Sequence, residues 1–237
     1  MFNQTIIYIL AGGLGSRLGN LSNQTPKSLI KFNKKPFIYY QLKFLEENNI
    51  KNIVLCIGKH AKKIKDWVKC NWDGDVNIKF SEDGDTQLGT GGALYKALCK
   101  YPSKNTCVMY GDTLLNFEIS SAIEAYNKSN HTVLMTIYKN FNKFDKSNIS
   151  IGYDTKIEYC KSKPINKKYT HIDYGFIIIN QNEFLKFKNG GVFDFAEYLE
   201  YESMLGRLGG FEVSKRFYEI GTNVSIKEFQ KYLQSFQ

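Results

Sequence analysis

The first 110 residues predict an α/β fold built on a parallel sheet. Three observations carry this expectation. Short apolar runs rich in β-branched and aromatic residues recur at 6–10, 53–57, 76–80 and 106–110. The segments between them repeat apolar residues at helical spacing. A β, α, β, α, β order of this kind joins parallel strands through helical crossovers.

Each element has its own signal. Ile6, Ile7, Tyr8, Ile9 and Leu10 form an unbroken apolar run, as expected of a strand buried on both faces. Phe37, Tyr40, Gln41, Phe44 and Leu45 share a helical face that begins after Pro36 and stops at Asn48 and Asn49. A compact strand at 53–57 is closed by Gly58, and Ala61, Ile64, Trp67 and Val68 mark the next helix. A strand at 76–80 runs into the acidic turn Glu82, Asp83, Gly84, Asp85. Leu94, Ala97, Leu98 and Tyr101 line a further helix, and the strand at 106–110 follows. Beyond it the pattern predicts a helix over 122–128, a strand over 131–138, a hairpin at 149–159 and a strand over 172–179. A helix over 193–208, a short strand at 211–213 and a final helix over 225–233 complete the chain. Ser225 and Glu228 have the spacing of a capping box for that last helix. No repeat or linker divides the 237 residues, which suit one domain in two halves that meet at about residue 115, the second resembling an insertion and a lid around one sheet.

Composition narrows the function. The net charge of +9 favours anionic partners, but the lysines are scattered and no nucleic-acid-binding module is present, so nucleic acid is not an expected partner. Five cysteines (56, 70, 99, 107 and 160) without a C-x-x-C pair, and the lack of a leader-like start, suit free thiols in the cytoplasm. No apolar run is long enough for a membrane span. The three histidines lack metal-ligand spacing. Phe141, Phe144, Phe193 and Tyr198 suit core packing first, and a sugar pocket or homo-oligomer contact second.

The chemistry concentrates where strands end. The run LAGGLGSRLG at 10–19 follows the first strand directly, and TPK at 25–27 lies close behind. Glycines allow a ligand to approach main-chain N–H groups, and consecutive N–H groups form a concave anion site. Arg17 and Lys27 then bring two cations to the same anion; a glycine turn with unrelated charges is the plainer alternative. The second cluster, QLGTGGA at 87–93, either presents backbone to a ligand edge or packs a helix tightly on the sheet. Asp112 stands just past a strand's carboxyl end, where open α/β sheets place ligands, and it is a hard oxygen donor of the kind Mg²⁺ takes.

Six motifs in order, LAGGLGSRL at 10–18, TPKSL at 25–29, LGTGGA at 88–93, YGDT at 110–113, IDYG at 172–175 and YEIGT at 218–222, resemble the sugar-1-phosphate nucleotidylyltransferases across nearly the whole chain. Their look is nearest to the heptose-1-phosphate guanylyltransferase and N-acetylmuramate-1-phosphate uridylyltransferase branches. The resemblance implies a Rossmann-like three-layer sandwich with a mainly parallel mixed central sheet, of the glycosyltransferase-A-like type. It implies that an NTP and a sugar 1-phosphate give an NDP-sugar and pyrophosphate for glycan or polysaccharide synthesis. By the same resemblance, Gly12, Gly13, Gly15 and Ser16 wrap the triphosphate, Arg17 stabilises pyrophosphate, and Lys27 stands between the α-phosphate and the incoming phosphate. Leu10, Ala11, Gln87, Gly89 and Thr90 fall at the base and ribose, Asp112 and Glu219 at Mg²⁺, and Lys163, Tyr174 and Gly175 at the sugar phosphate and sugar.

Two positions depart from the family pattern. Glu219 replaces the usual Asp, and Ser162 precedes Lys163-Pro164 where the family has Glu. Rival readings are an inactive nucleotide- or sugar-binding relative and a cytidylyltransferase acting on a non-sugar phosphate. A dinucleotide-dependent oxidoreductase fits poorly, because Leu18 stands where its fingerprint needs the last glycine.

Overall fold

The computed structural model of the chain describes residues 5–13, 25–152, 155–161 and 168–235. The first strand, β1 (Thr5–Leu10), is followed by a 3-10 turn at Lys27–Leu29 and a hairpin of β2 (Lys31–Phe32) and β3 (Lys35–Pro36). Then come α1 (Phe37–Glu47), β4 (Asn52–Ile57), α2 (Ala61–Asn71), β5 (Asn77–Glu82), α3 (Gly89–Lys100), β6 (Asn105–Tyr110), β7 (Thr113–Leu114) and α4 (Ile119–Lys128). The second half contributes β8 (Val133–Lys139), β9 (Ile149–Ile151), β10 (Ile157–Tyr159), β11 (His171–Ile179), α5 (Gln181–Phe187), α6 (Phe195–Met204), β12 (Leu208–Glu212), β13 (Tyr218–Glu219) and α7 (Asn223–Gln234).

β1 lies at the centre of a mixed sheet. Its neighbours β4 and β6 are both parallel to it, with Leu10 opposite Cys56 on one side and Tyr110 on the other. β5 extends the parallel part beyond β4, so the order runs β5, β4, β1, β6. The chain thus proceeds outward from β1 in one direction and returns to its other side at β6. That reversal is a topological switch point, and it leaves a crevice at the carboxyl ends of β1 and β6.

β11 pairs antiparallel with both β6 and β8, β12 runs parallel to β8, and the β9–β10 hairpin meets β11 at His171. The second half is therefore a continuation of the same sheet, where the sequence suggested an insertion and lid.

Alternation along β1 divides the core. Ile7 and Ile9 join Phe37, Leu42, Ile64, Ile119 and Phe229 on one face, whereas Tyr8 and Leu10 join Leu94, Ala97, Phe184 and Tyr198 on the other. Helices cover both faces, as the continuous apolar strands require. Cys56 and Cys107 are fully buried free thiols, and burial raises the proton affinity of both.

Three expectations need correction. The helix predicted over 193–208 is α6 alone: Asp194 caps it with a full capping box to Glu197, and Leu208 already lies in β12. The box at the last helix is formed by Thr222 and Ser225; Glu228 instead pairs with Arg216. Finally, α5, whose cap Asn180 accepts from the N–H groups of Asn182 and Glu183, was not anticipated.

Candidate active site

The crevice at the switch point opens into a cavity of about 680 Å³. Leu10, Ala11 and Gly13 from the end of β1 form one wall, and Tyr110, Gly111 and Asp112 from the end of β6 form the next. The two banks are close. The Gly111 N–H donates to the Leu10 carbonyl at 3.1 Å, and a Cβ on Gly111 would lie 2.6 Å from that same oxygen. Only glycine permits this approach, which sets Asp112 immediately beside the β1 end.

Asp112 is braced from beneath. Gln41 on α1 is fully buried, and its Nε2 donates to the carbonyls of Tyr110 and Thr113, each at 2.9 Å. One side chain thereby holds both flanks of the Gly111–Asp112 turn. On the far side, the short pair β7–β13 sets Glu219 opposite Thr113, and the Ile220 N–H donates to the Asp112 carbonyl at 3.0 Å. The two acids predicted from remote parts of the chain are thus carried on adjoining backbone.

Their charges interact. Burial and the neighbouring Asp112 charge raise the pKa of Glu219, opposed by bonds from Ser225 and the Gly221 N–H. Lys27 points its Nζ at Asp112 Oδ2 across 3.2 Å, with the lysine 18% and the aspartate 38% exposed. Lys27 pairs with Asp112, and Glu219 lines the same cavity. The oxygen-only pair of Asp112 and Glu219 suits Mg²⁺, which commonly takes one or two carboxylates and completes its shell with water and phosphate.

The remaining expectations separate. Leu10, Ala11, Gly13, Lys27, Thr90, Asp112 and Glu219 line the main cavity. Gly12, Gln87 and Gly89 line a smaller cavity that shares Leu10, Gly13 and Thr90 with it. In the second glycine cluster, packing takes two of the members. The N–H groups of Gly91 and Gly92 donate to the Phe193 carbonyl at 3.0 and 3.3 Å, and a Cβ on Gly91 would strike the Phe193 ring.

Tyr174 does not reach the cavity. It is fully buried among Phe117, Tyr138 and Phe217, and its hydroxyl accepts from the Asn116 N–H at 3.0 Å. Gly175 (φ +97°) lies in a register shift between β11 and β8, and its N–H donates to Asp173. Gly15, Ser16, Arg17 and Lys163 lie outside the described residues. Of the aromatic residues, Phe193 and Tyr198 are core, Phe144 lines the cavity and Phe141 is exposed.

Asp173 takes the place expected of its neighbours. It lines the cavity, accepting from the Tyr110 hydroxyl at 2.6 Å and the Gly175 N–H at 2.9 Å. Its carboxyl is pushed up to about 6 by burial, against the pull of these two donors and Lys161. Lys161, Asp194 and Arg216 also line this end. Lys161 pairs with Asp194, which in turn accepts from Thr90 at 2.9 Å, linking the start of α3 to the cap of α6. Arg216 lies between the rings of Phe144 and Tyr218, 3.6 and 4.7 Å from their centroids. The signal for Asp173 was present in IDYG: an acid inside an otherwise apolar strand is costly to bury without a task.

A crevice at the switch point of an open α/β sheet is where such folds place their ligands. The Nucleotidyl transferase family model matches residues 6–196, and the chain belongs to that family. It is 27% identical over 229 residues to D-glycero-alpha-D-manno-heptose 1-phosphate guanylyltransferase of Aneurinibacillus thermoaerophilus, covering 96% of this chain and 98% of that protein. The protein of the same description from Campylobacter jejuni subsp. jejuni serotype O:2 is 28% identical over 192 residues, covering 81% of this chain and 83% of the other. Among solved structures, HddC from Yersinia pseudotuberculosis complexed with GMP-PN superposes with a TM-score of 0.80 at 22% identity, over 96% of this chain and 99% of that one. At that identity the superposition speaks for the fold, which is the expected mainly parallel mixed α/β sandwich.

Two outcomes follow from this geometry. Gln41→Leu leaves the Tyr110 and Thr113 carbonyls without their donor, so turnover should fall about tenfold as Asp112 loosens, with melting temperature recorded alongside. An unchanged rate in a folded variant would show that the brace is dispensable. For Asp173, the folded carboxyl holds its proton more tightly than the unfolded one. Its contribution to stability is therefore complete below about pH 4 and is lost as pH rises through about 6. Urea unfolding across pH 4–8 should show that loss in the wild type and not in Asp173→Asn.

Proposed function

We propose that the chain joins a nucleoside triphosphate to a sugar 1-phosphate, yielding an NDP-sugar and pyrophosphate. The observation that carries this reading is the convergence of Lys27, Asp112 and Glu219 at the β1–β6 switch point, next to a second cavity of a size for a base. The lining also fits: besides Gly13 and Gly111 it includes the polar group Asp173, Lys161 and Asp194.

In this reaction an oxygen of the sugar phosphate attacks the α-phosphorus. The new P–O bond forms as the bond from that phosphorus to the bridging oxygen breaks, and the electron pair leaves with pyrophosphate. Two anions must approach each other, so the Lys27 Nζ has the task of screening both while it orients them. Arg17, which belongs to the same phosphate loop by sequence, is assigned the departing pyrophosphate. Asp112 and Glu219 would hold Mg²⁺, whose charge, when bound, neutralises phosphate oxygens. Asp173 holds its carboxylate at the sugar end, where it accepts hydrogen bonds from hydroxyl groups. No helix among the described residues is long and apolar enough to cross a membrane. We place the reaction in the cytoplasm, where nucleoside triphosphates are supplied, and assign its product to surface glycan or polysaccharide synthesis.

The test is pyrophosphate release from a panel of NTPs and sugar 1-phosphates. Release that depends on both substrates supports the reading, and nucleotide binding without release from any pair would favour a binding relative. Lys27→Ala should lower turnover by at least about a hundredfold with nucleotide affinity retained. Asp112→Ala should abolish the response of rate to added Mg²⁺; an unaltered Mg²⁺ titration would reject its assignment.

A further inference from the structure

We propose that Asp194 is a positioning residue for the sugar 1-phosphate: acting through Lys161, it fixes the polar end of the cavity to the start of α3. This rests on the reaction proposed above and gives one of its substrates a further determinant.

Asp194 stands at the N-terminus of α6 and does more there than cap a helix. Its N–H donates to Glu197 Oε1 at 2.9 Å and its Oδ1 accepts from the Ala196 N–H at 3.0 Å, contacts that any capped helix needs. Oδ1 also accepts from the Thr90 hydroxyl at 2.9 Å, and Oδ2 accepts from the Lys161 ammonium. Thr90 belongs to α3, Lys161 follows the end of β10, and both line the main cavity together with Asp194. These two contacts lie outside the requirements of the helix and on the wall of the site.

Thr90 anchors the carboxylate from one side. By resemblance it falls at the base and ribose, and it lines both cavities. A hydroxyl has one proton to give, and here Asp194 takes it, while the oxygen accepts from the Phe195 N–H at 2.8 Å. The backbone is fastened as well: the Phe193 N–H donates to the Leu88 carbonyl at 3.0 Å, and the Phe193 carbonyl accepts from Gly91 and Gly92. The starts of α3 and α6 therefore form one block.

Lys161 is held on that block twice. Its N–H donates to Glu200 Oε1 at 2.9 Å, and its ammonium meets Asp194. Both charged groups are about half exposed, so the pair adds little to stability. What it fixes is position. The ammonium lines the cavity, and its charge reaches Asp173, which accepts from the Tyr110 hydroxyl at 2.6 Å. A sugar 1-phosphate offers hydroxyl groups to a carboxylate and phosphate oxygens to an ammonium. Without Asp194 the flexible four-carbon stem of Lys161 loses its aim.

The test is calorimetric titration of the full chain with an NTP panel plus Mg²⁺ and, separately, with glucose, mannose and heptose 1-phosphates. The KM of each substrate is read in parallel from pyrophosphate release. Asp194→Asn keeps a capping oxygen and the Thr90 acceptor but turns an amide N–H₂ towards Lys161. Sugar 1-phosphate affinity should fall about tenfold, with NTP affinity within about twofold of wild type and the melting temperature unchanged. Lys161→Met should match it, and the double variant should be no worse than either single one. Thr90→Val should weaken sugar 1-phosphate binding in the same way, and Thr90→Ser should retain it. Unchanged sugar 1-phosphate affinity in folded Asp194→Asn would overturn the proposal, as would an equal loss of NTP affinity or additive effects at 161 and 194. Those results would leave nucleotidyl transfer standing wherever pyrophosphate is still released. Conversely, the expected losses without release from any pair would uphold Asp194 and defeat the reaction proposed above. A wild type that takes no sugar 1-phosphate by either readout would defeat both.

Discussion

The site depends on the contact between the ends of two parallel strands. β1 and β6 run in register up to the Leu10–Tyr110 pair, and Gly111 then folds directly over the Leu10 carbonyl. Every functional group is placed relative to this junction. Ala11 and Gly13 follow one strand, Asp112 follows the other, and Gln41 fastens the second to the helix beneath. A side chain at position 111 would force the strands apart at the point where the reacting groups have to meet.

Electrostatic imbalance is the complement of that geometry. Asp112 pairs with Lys27, and burial together with the Asp112 charge raises the proton affinity of Glu219. Such an arrangement stores unfavourable repulsion in the absence of further positive charge, as sites tuned for a charged ligand commonly do. At the opposite end, burial raises the Asp173 carboxyl against the pull of the Tyr110 hydroxyl, the Gly175 N–H and Lys161.

Much of this was legible in the sequence, for identifiable reasons. The parallel strands are apolar on both faces, so 6–10, 53–57 and 106–110 needed no tertiary information, and the acid at 112 followed from where such a strand ends. Elements defined by local backbone chemistry were harder. The β2–β3 hairpin turns on Asn33 and Lys34, both with positive φ, without the glycine that usually marks such a turn. The helix α5 is only seven residues long and buries Phe184 as its main anchor, too brief for periodicity to declare itself. At 193–208 the periodic run included Phe193 and Leu208, which are apolar because they fill the core from a loop and from a strand. In IDYG the resemblance pointed to Tyr174 and Gly175, whereas the register shift at Gly175, which no sequence pattern marks, accompanies Asp173 lining the cavity and Tyr174 in the core.

The placement of β11 has a mechanical consequence. Its ladder to β6 runs unbroken from Phe176 opposite Met109 to Ile179 opposite Thr106, while its other edge carries β8. The strand that bears Asp173 and the strand that leads to Asp112 are therefore rigidly stitched together. The two ends of the cleft cannot swing apart as separate bodies on a hinge. The floor of the cleft thereby fixes the spacing between the turn at Asp112 and the wall at Asp173.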